Sequence, residues 1–189
     1  MIKDFDEIYL QLIKDTLKRM GQEVHKGLDN ESAIELIYET AITESGEFKY
    51  YKQIKGPAIG FTQLEPNTIW DIWENYVVYR DRFSTFLLRN GWVKYDWKYA
   101  VLGSLVLQIA LTRIHYFRVP EKLPTTPLGR AKYWKKYYNT VEGKGTVDHY
   151  LELNNHGLVL ERYKDSAEYK KAEKNNKKEE KAKTLKDGE

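Results

Sequence analysis

The sequence contains no cysteine, and histidine is scarce. The absence of cysteine excludes disulfide bonds, thiolate metal sites and catalysis by a cysteine nucleophile. The histidines show no ligand-like spacing, so a metal site would need the fold to assemble them; they are His25, His115, His149 and His156. The chain also lacks internal repeats and a glycine loop with the usual phosphate-binding spacing. These absences disfavour metal-dependent and nucleotide-dependent classes of enzyme.

The chain has no long uninterrupted apolar run. Its first 15 residues, MIKDFDEIYLQLIKD, alternate charged and apolar residues at helical spacing and lack the apolar core of a signal peptide. The most apolar stretch, YAVLGSLVLQIAL at 99–111, is shorter than the roughly 20 residues that cross a bilayer as a helix. We therefore expect neither Sec export nor membrane insertion, and we interpret this stretch as part of a buried helix.

Neither sign of charge dominates the composition. Lysine and arginine total 31, aspartate and glutamate total 28, and the net charge is +3. This balance argues against nucleic-acid binding, which the 14% aromatic content and the lysine-rich C-terminal region would otherwise suggest. From residue 163 onward the chain is densely charged and has little to bury. We therefore expect one domain at 1–162 and a disordered or partner-docked tail at 163–189.

Apolar periodicity predicts a mostly α fold. We expect an amphipathic helix over 4–20 that ends at Gly21, and a second helix that begins at Asn30 or Ser32 and ends before Gly46. Further helices are predicted, in chain order, after an Asn67 cap to Val77, over 81–88, as a long buried central helix over 94–117, and over 128–139 and 146–155. The alternating, glycine-containing segment 47–61 predicts at most a small β-hairpin.

One carboxylate extends the apolar face of the second helix. Glu44 lies seven residues after Ile37 and three after Ala41, both on the stripe that faces the core. Glu39 falls off this face and is expected in solvent, and Glu47 follows the glycine break. Burial and the helix C terminus both raise the pKa of a carboxyl placed like Glu44, which would suit a general acid. Periodicity equally allows Glu44 to extend into solvent.

Three short motifs occur in the order of a known enzyme family. They are TESG at 43–46, GPAIGFTQLEPNT at 56–68 and YWKKYYNTVEGKGTVDHYL at 133–151. In order and spacing they resemble the lysozyme-like lytic transglycosylases, in the superfamily of soluble lytic transglycosylases and goose-type lysozymes, which cut peptidoglycan glycan strands. The pair GPAIG and YWKKYYNTVEGKGT is most similar to small phage-encoded members. The resemblance covers roughly residues 34–151.

The resemblance implies a compact, lysozyme-like helical domain and a murein lytic transglycosylase. Glu44 would be the catalytic acid/base. It would protonate the oxygen between N-acetylmuramic acid and N-acetylglucosamine and then take the proton of the muramic acid 6-hydroxyl, which gives a 1,6-anhydro product. No metal or cofactor is implied. The implied substrate-binding residues are Ser45, Gly60, Phe61, Gln63, Tyr138 and Asn139.

The sequence departs from the family pattern in three places. Phe61 and Thr62 replace the usual Leu-Met, and VEGKG lengthens the loop that follows Asn139. Glu65 follows GFTQL where goose-type lysozymes carry an aspartate. If Glu65 holds a water on the sugar face opposite Glu44, the enzyme is a hydrolase and its product has a reducing end.

The resemblance to phage proteins also implies a place of action. We expect a virion protein that is assembled in the host cytoplasm and acts on the peptidoglycan in the periplasm. Its N-terminal helix or charged tail would attach it to other tail or internal virion proteins. The alternatives are an endolysin in the host cytoplasm and a non-catalytic virion structural protein on the same scaffold.

Overall fold

The computed structural model describes residues 3–139, 143–166, 168–171 and 173–175. These residues are mostly helical, which confirms the predicted mostly α class. The helices are α1 Lys3–Glu23, α2 Glu31–Ser45, α3 Pro66–Ile72, α4 Asp81–Arg89, α5 Trp97–Gly103, α6 Leu105–Phe117, α7 Pro127–Trp134, α8 Val147–Leu153 and α9 Gly157–Asp165. Two π-helical turns, Trp73–Val77 and Lys135–Asn139, continue α3 and α7.

The ends of α2 follow from its capping residues. The Asn30 side chain accepts a hydrogen bond from Ala33 N, and Gly46 adopts the left-handed conformation and donates its N–H to Ile42 O. The predicted bounds of this helix are confirmed, and Glu44 lies in its last turn. By contrast, α1 continues past Gly21 to Glu23.

The predicted end of α1 and the predicted start of α3 are corrected. Buried Met20 and Val24 keep the end of α1 packed on the core, which explains why the helix passes Gly21. Helix α3 begins with Pro66 at its first turn, and Glu65 is its N-cap residue instead of Asn67. Proline fits this position because the first-turn N–H has no intrahelical partner.

The predicted long central helix is two helices that meet at Ser104. The axes of α5 and α6 are bent by 108°. The Ser104 hydroxyl caps α6 by accepting a hydrogen bond from Leu107 N. Only α6 is the buried central helix, and it packs against α1, α2, α3 and α5. In the described part of the chain no single helix is long and apolar enough to span a membrane, although the bent α5–α6 pair passes this test when both helices are counted together.

Two apolar clusters of buried side chains meet around α6. One lies among α3, α4, α5 and one side of α6. The other lies among α1, α2, α7, α8 and the remaining side of α6. Tyr138, on the second π-helical turn, packs against both clusters. The end of α7 therefore lies where the two halves of the core join.

The segment between α2 and α3 forms turns with isolated antiparallel bridges. Lys52 pairs with Ile59, and Ile59 pairs with Leu64, but no strand forms among the described residues. Gly60 has a φ of +77°, and a Cβ there would lie 2.5 Å from the Gln108 side chain. Gln108 also accepts a hydrogen bond from Phe61 N at 3.1 Å. The Gly60 turn is thereby attached to α6.

Glu39 is buried, contrary to the prediction that it lies in solvent. Only 6% of the residue is exposed. Arg130 binds both of its carboxylate oxygens, at 2.6 and 2.7 Å, and Tyr150 and His156 each hydrogen-bond to it at 2.8 Å. Burial by itself raises the pKa of Glu39, but these hydrogen bonds and the Arg130 charge bring it below its usual value. The prediction was wrong because helical periodicity contains no information about an arginine 91 residues away.

Helix α9 crosses the predicted domain boundary between residues 162 and 163. The Tyr163 ring lies 5.1 Å from the ring of Tyr169, whose hydroxyl donates to Asp148 Oδ2 at 2.9 Å. Lys132 Nζ donates to Glu168 Oε2 at 2.7 Å. The start of the predicted tail therefore contacts α7 and α8. Residues 176–189, the larger part of that tail, lie outside the described residues.

Candidate functional site

The predicted acid lies where the end of α2 meets the end of α7. Glu44 is partly buried, and its Oε1 accepts a hydrogen bond from Trp134 Nε1 at 2.9 Å. Trp134 is 1% exposed, and its ring packs 5.1 Å from the ring of Tyr150. The core thus fixes the indole and directs its N–H at the carboxyl group.

The π-helical turn after α7 places two further side chains at the site. Asn139 acts on the Glu44 carboxyl in the direction of a lower pKa. Lys135 Nζ donates to Asn139 Oδ1 at 2.9 Å and to Gly143 O at 2.7 Å. A π-helical turn inserts an extra residue into the helical register, a feature that is frequent at functional sites.

The environment of Glu44 moves its acidity toward neutral pH. Burial raises the pKa of Glu44 to about 7. The hydrogen bond from Trp134, the nearby Asn139 side chain and the charge of Lys135 act in the opposite direction without cancelling this effect. Both protonation states are therefore populated near neutral pH, which suits a group that first gives and then takes a proton.

Tyr138 connects this region to the Gly60 turn. Its hydroxyl donates to Thr62 O at 2.6 Å, and the Thr62 side chain hydrogen-bonds Thr112 of α6 at 2.9 Å. Burial, and after it the charge of Glu44, raises the pKa of Tyr138 well above its usual value. The structure therefore brings the three sequence motifs together: the end of α2, the Gly60 turn and the second π-helical turn.

Gln63 holds the Gly60 turn against the preceding segment. It has a positive φ of 48°, and its Nε2 donates to Gly60 O at 2.7 Å and to Tyr50 O at 3.2 Å. The amide nitrogen is thus engaged within the turn. Any contribution of Gln63 to sugar binding through this nitrogen is indirect and consists in fixing the backbone of residues 60–63.

Ser45 and Phe61, two of the predicted substrate-binding residues, make packing contacts. Ser45 is fully buried, and its hydroxyl donates to Ala41 O and accepts from Phe48 N. The Ser45 hydroxyl is thus engaged within the end of α2. The Phe61 ring belongs to an aromatic cluster formed with Phe5, Tyr9, Phe48 and Tyr51.

Glu65, the predicted candidate for a second acid, is exposed at the start of α3. It occupies the N-cap position, but its side chain makes no capping hydrogen bond. Among the hydrogen bonds and ion pairs of the described residues, none joins the Glu65 side chain to the groups around Glu44.

The lengthened loop after Asn139 packs closely on the site through two glycines. A Cβ at Gly143 would lie 2.1 Å from Asn139 O. A Cβ at Gly145 would lie 2.5 Å from Trp134 Cη2 and 2.9 Å from Asn139 Nδ2. Residues 140–142 lie outside the described residues. The GKG part of the insertion therefore lies against Asn139 and against Trp134, the side chain that hydrogen-bonds Glu44.

Sequence reasoning left several polar residues at the site without a role. Trp134 and Lys135 belong to the motif at 133–151. Each lies four residues before Tyr138 or Asn139, a helical spacing that could have predicted that these side chains share a face of the helix. Gln108 is fully buried and hydrogen-bonds the Tyr51 hydroxyl. Gln108 is the one amide side chain in the most apolar stretch of the sequence, 99–111, and this could have predicted that it has a buried hydrogen-bond partner.

Three surface clefts lie away from Glu44. They are lined by Glu23, Asp81, Arg82, Thr85, Phe86 and Arg89; by Leu128, Val159, Tyr163, Ser166 and Glu168; and by Asp71, His115, Arg118, Val119, Pro120 and Tyr137. Within the described residues, no group of three or more His, Cys, Asp and Glu side chains could hold a metal ion. The candidate site is therefore identified by its converging polar groups.

No protein-family model matches this chain, and no match is found among the curated proteins or the solved structures. The resemblance to lytic transglycosylases accordingly rests on the three motifs and on their positions in the fold.

Proposed function

We propose that the protein is a lysozyme-like murein lytic transglycosylase that cleaves the β-1,4 bond between N-acetylmuramic acid and N-acetylglucosamine. The observation that carries the proposal is the state of one carboxyl group. Glu44 is partly buried, burial raises its pKa to about 7, and it accepts a hydrogen bond from Trp134 Nε1. The motifs that the resemblance assigns to sugar binding are joined by the hydrogen bond from the Tyr138 hydroxyl to Thr62 O.

In the first half of the reaction, Glu44 acts as the acid. Its protonated carboxyl gives the proton to the glycosidic oxygen while the bond from that oxygen to the muramic acid C1 breaks. The N-acetylglucosamine then leaves with a free 4-hydroxyl group. The Trp134 indole N–H stabilises the carboxylate that results, because its hydrogen bond favours the charged form.

In the second half, the same carboxylate acts as the base. It takes the proton from the muramic acid 6-hydroxyl as that oxygen bonds to C1, which closes the 1,6-anhydro ring. Glu44 is then protonated again and ready for another cycle. Because the nucleophile belongs to the substrate, one carboxyl group is sufficient and no water is consumed.

Hydrolysis is the second candidate reaction. The observation that favours it is the exposed carboxylate of Glu65, directly after the turn whose Thr62 carbonyl binds Tyr138. A carboxylate at that position could activate a water on the opposite face of the sugar. The product would then carry a reducing end.

The expected setting is a phage virion, with the enzyme acting on the cell wall during infection. An endolysin remains the alternative localisation, and a non-catalytic virion protein is the alternative without activity. A structural protein gains nothing from a carboxyl whose pKa is raised by burial, since the ionised form opposes folding. This consideration supports the enzyme.

Digestion of purified peptidoglycan by the wild-type protein and by Glu44→Gln tests the proposal. We expect the wild type to release muropeptides with 1,6-anhydro ends and Glu44→Gln to release none, because the amide cannot donate a proton. Mass spectrometry of the soluble fragments is the measurement. Glu47→Gln is the matched control, since Glu47 is exposed and pairs with Lys49.

The fragments also separate the two candidate reactions. Reducing ends that disappear in Glu65→Gln would establish the hydrolase in place of the transglycosylase. If the wild-type protein releases no fragments, both reactions are rejected.

A further inference from the structure

The third surface cleft has both a polar and an apolar lining. Its volume is about 290 Å³, close to the lower limit for small-molecule sites, so it can hold one small ligand or one unit of a polymer. The polar side chains come from α3 and from the end of α6, and the apolar wall comes from the segment after α6 and from the second π-helical turn. The polar residues are Asp71, His115 and Arg118, and the wall consists of Val119, Pro120 and Tyr137.

The charges that line this cleft balance each other. Arg118 Nη2 donates to Asp71 Oδ2 at 2.6 Å. Hydrogen bonds from Asn75 and Arg118 lower the pKa of Asp71, so its carboxylate is ionised near neutral pH. Burial lowers the pKa of His115, so its imidazole is uncharged there. The lining thus carries one positive and one negative charge, and no net charge remains to attract an anion or a cation.

The same side chains keep hydrogen-bonding capacity for a ligand. A guanidinium group has five N–H donors, and among the described residues the bond to Asp71 is the one hydrogen bond that the Arg118 side chain makes. His115 Nε2 lies 2.9 Å from Tyr137 O; because a carbonyl oxygen only accepts, Nε2 carries the hydrogen and Nδ1 of the neutral ring is an acceptor. Asp71 Oδ1 accepts from Asn75 Nδ2 at 2.7 Å and has a second lone pair. The cleft therefore offers donors and acceptors side by side.

We propose that this cleft binds one neutral saccharide unit. The hydroxyl groups of a sugar both donate and accept hydrogen bonds, so they match a lining that contains Arg118 and Asp71. The C–H face of a pyranose ring is apolar and packs on aromatic and aliphatic side chains such as Tyr137 and Val119. An anion would require an unpaired cation, whereas Arg118 is paired. That the saccharide belongs to a peptidoglycan glycan strand rests on the proposed function.

The second π-helical turn connects the cleft to the candidate site. The His115 ring, which hydrogen-bonds Tyr137 O, lies edge to face with the ring of Tyr138 at 5.2 Å. The Tyr138 hydroxyl donates to Thr62 O in the Gly60 turn. Tyr137 thus lines the cleft, and the next residue lies at the candidate site. A glycan strand long enough to reach both surfaces would gain affinity from the second contact without a change in the chemistry.

A titration of the full chain with tri-N-acetylchitotriose, followed by nuclear magnetic resonance, tests this inference. This ligand is a neutral β-1,4-linked oligomer of N-acetylglucosamine, and the Glu44→Gln background prevents its turnover. The signals are the His115 ring and the Arg118 Nε–H group, and we expect both to shift along one saturation curve. Arg118→Met should weaken the affinity read from the His115 signal about tenfold or more, because it removes the hydrogen-bond donors of the cleft.

Two controls test location and charge. Arg82→Met should leave the affinity unchanged, since Arg82 lines a different cleft beside Asp81. Sodium acetate, a small anion, should leave both signals in place. The inference is overturned if chitotriose shifts neither signal, if Arg118→Met keeps the affinity, if Arg82→Met lowers it equally, or if acetate shifts the signals more than chitotriose at the same concentration. Should Arg118→Met not fold, Asp71→Asn removes the charged acceptor and serves in its place under the same criteria.

Digestion of purified peptidoglycan separates this inference from the proposed function. With Glu44 intact, Arg118→Met should raise KM about tenfold and leave kcat unchanged, because the cleft binds the strand and takes no part in bond cleavage. An unchanged KM would overturn the assignment of the glycan strand as its ligand. If the wild type digests nothing while chitotriose titrates the cleft, the proposed function fails and the saccharide site stands. If digestion occurs and chitotriose shifts neither signal, the saccharide site fails and the proposed function stands.

Discussion

Two glutamates on one helix show how their partners determine the state of a carboxyl group. Glu39 faces the Arg130 guanidinium, and its pKa is held below the usual value although burial opposes this. Glu44, about one turn later on α2, accepts a hydrogen bond from the neutral Trp134 indole, and burial raises its pKa to about 7. A buried carboxylate that is paired with a cation can stay ionised, whereas a buried carboxyl group without such a partner tends to keep its proton.

At the residue scale, the raised pKa of Glu44 predicts a pH-dependent cost to stability. The pKa of about 7 in the folded protein lies above the usual 4.5, so the folded state binds more protons between these values. Stability therefore falls as pH rises from about 4.5 to 7, and the full cost is present above 7. We expect Glu44→Gln to raise the free energy of unfolding at pH 8 by roughly 1–3 kcal/mol.

Urea denaturation at pH 4 and pH 8 measures this effect. The gain from Glu44→Gln should be smaller at pH 4, where the wild-type carboxyl is already protonated. The exposed Glu47→Gln is the control and should show no such difference between the two pH values. An equal gain at both pH values would show that the ionisation of Glu44 has no part in the effect.

At the scale of elements, the second π-helical turn and the glycine loop act as one unit. Lys135 donates to Asn139 and to the loop carbonyl of Gly143. Gly145 lies against Trp134 and Asn139 at a distance that leaves no room for a side chain. The loop therefore limits where the Trp134 and Asn139 side chains can lie.

This close packing predicts that Gly145→Ala reduces activity. The added methyl group would have to displace Trp134 or Asn139, and a displacement of about 1 Å at a catalytic group can reduce activity by about 100-fold. We expect a 10- to 100-fold loss in the rate of muropeptide release, with the helical circular dichroism spectrum retained. Gly157→Ala is the control, since nothing lies within 4 Å of the added Cβ. Equal rates for the two variants would contradict the positioning role of the loop.

At the scale of the whole molecule, a buried network connects α2 to the C-terminal helices. Arg130 of α7 binds Glu39 of α2, which also hydrogen-bonds Tyr150 of α8 and His156 at the start of α9. The Arg130 and Glu39 side chains are 3% and 8% exposed. Removal of one partner from such a pair leaves an uncompensated buried charge.

We therefore expect Arg130→Met to destabilise the fold by about 3–5 kcal/mol at pH 7. The loss should be smaller at pH 4, because Glu39 without its guanidinium has a raised pKa and can protonate. Urea denaturation at both pH values is the measurement. Lys132 lies on α7 like Arg130, and Lys132→Met breaks only its exposed pair with Glu168. This substitution should cost less than about 1 kcal/mol. A similar loss for both variants would contradict a buried network.

Much of the helical structure and part of the candidate site could be predicted from the sequence. Apolar periodicity and the Asn30 and Gly46 signals predicted α2, and they placed Glu44 in its last turn. The resemblance to lytic transglycosylases implied that Tyr138 and the Gly60 turn belong to one site, and the Tyr138 hydroxyl donates to Thr62 O in that turn. Periodicity could not predict the bend at Ser104, because the residues on both sides of it are equally apolar.

The sequence by itself determined most of the helical segments and the face of α2 that carries Glu44, because these depend on neighbours within about one helical turn. Only the tertiary structure decided that Glu39 is paired with Arg130 and that Glu44 meets Trp134. The pKa of a carboxyl depends on burial and on partners that are distant in the chain. Helical periodicity placed Glu44 on the buried face of α2 and Glu39 in solvent. In the folded chain Glu39 is the more buried of the two, because Arg130 pairs with its charge.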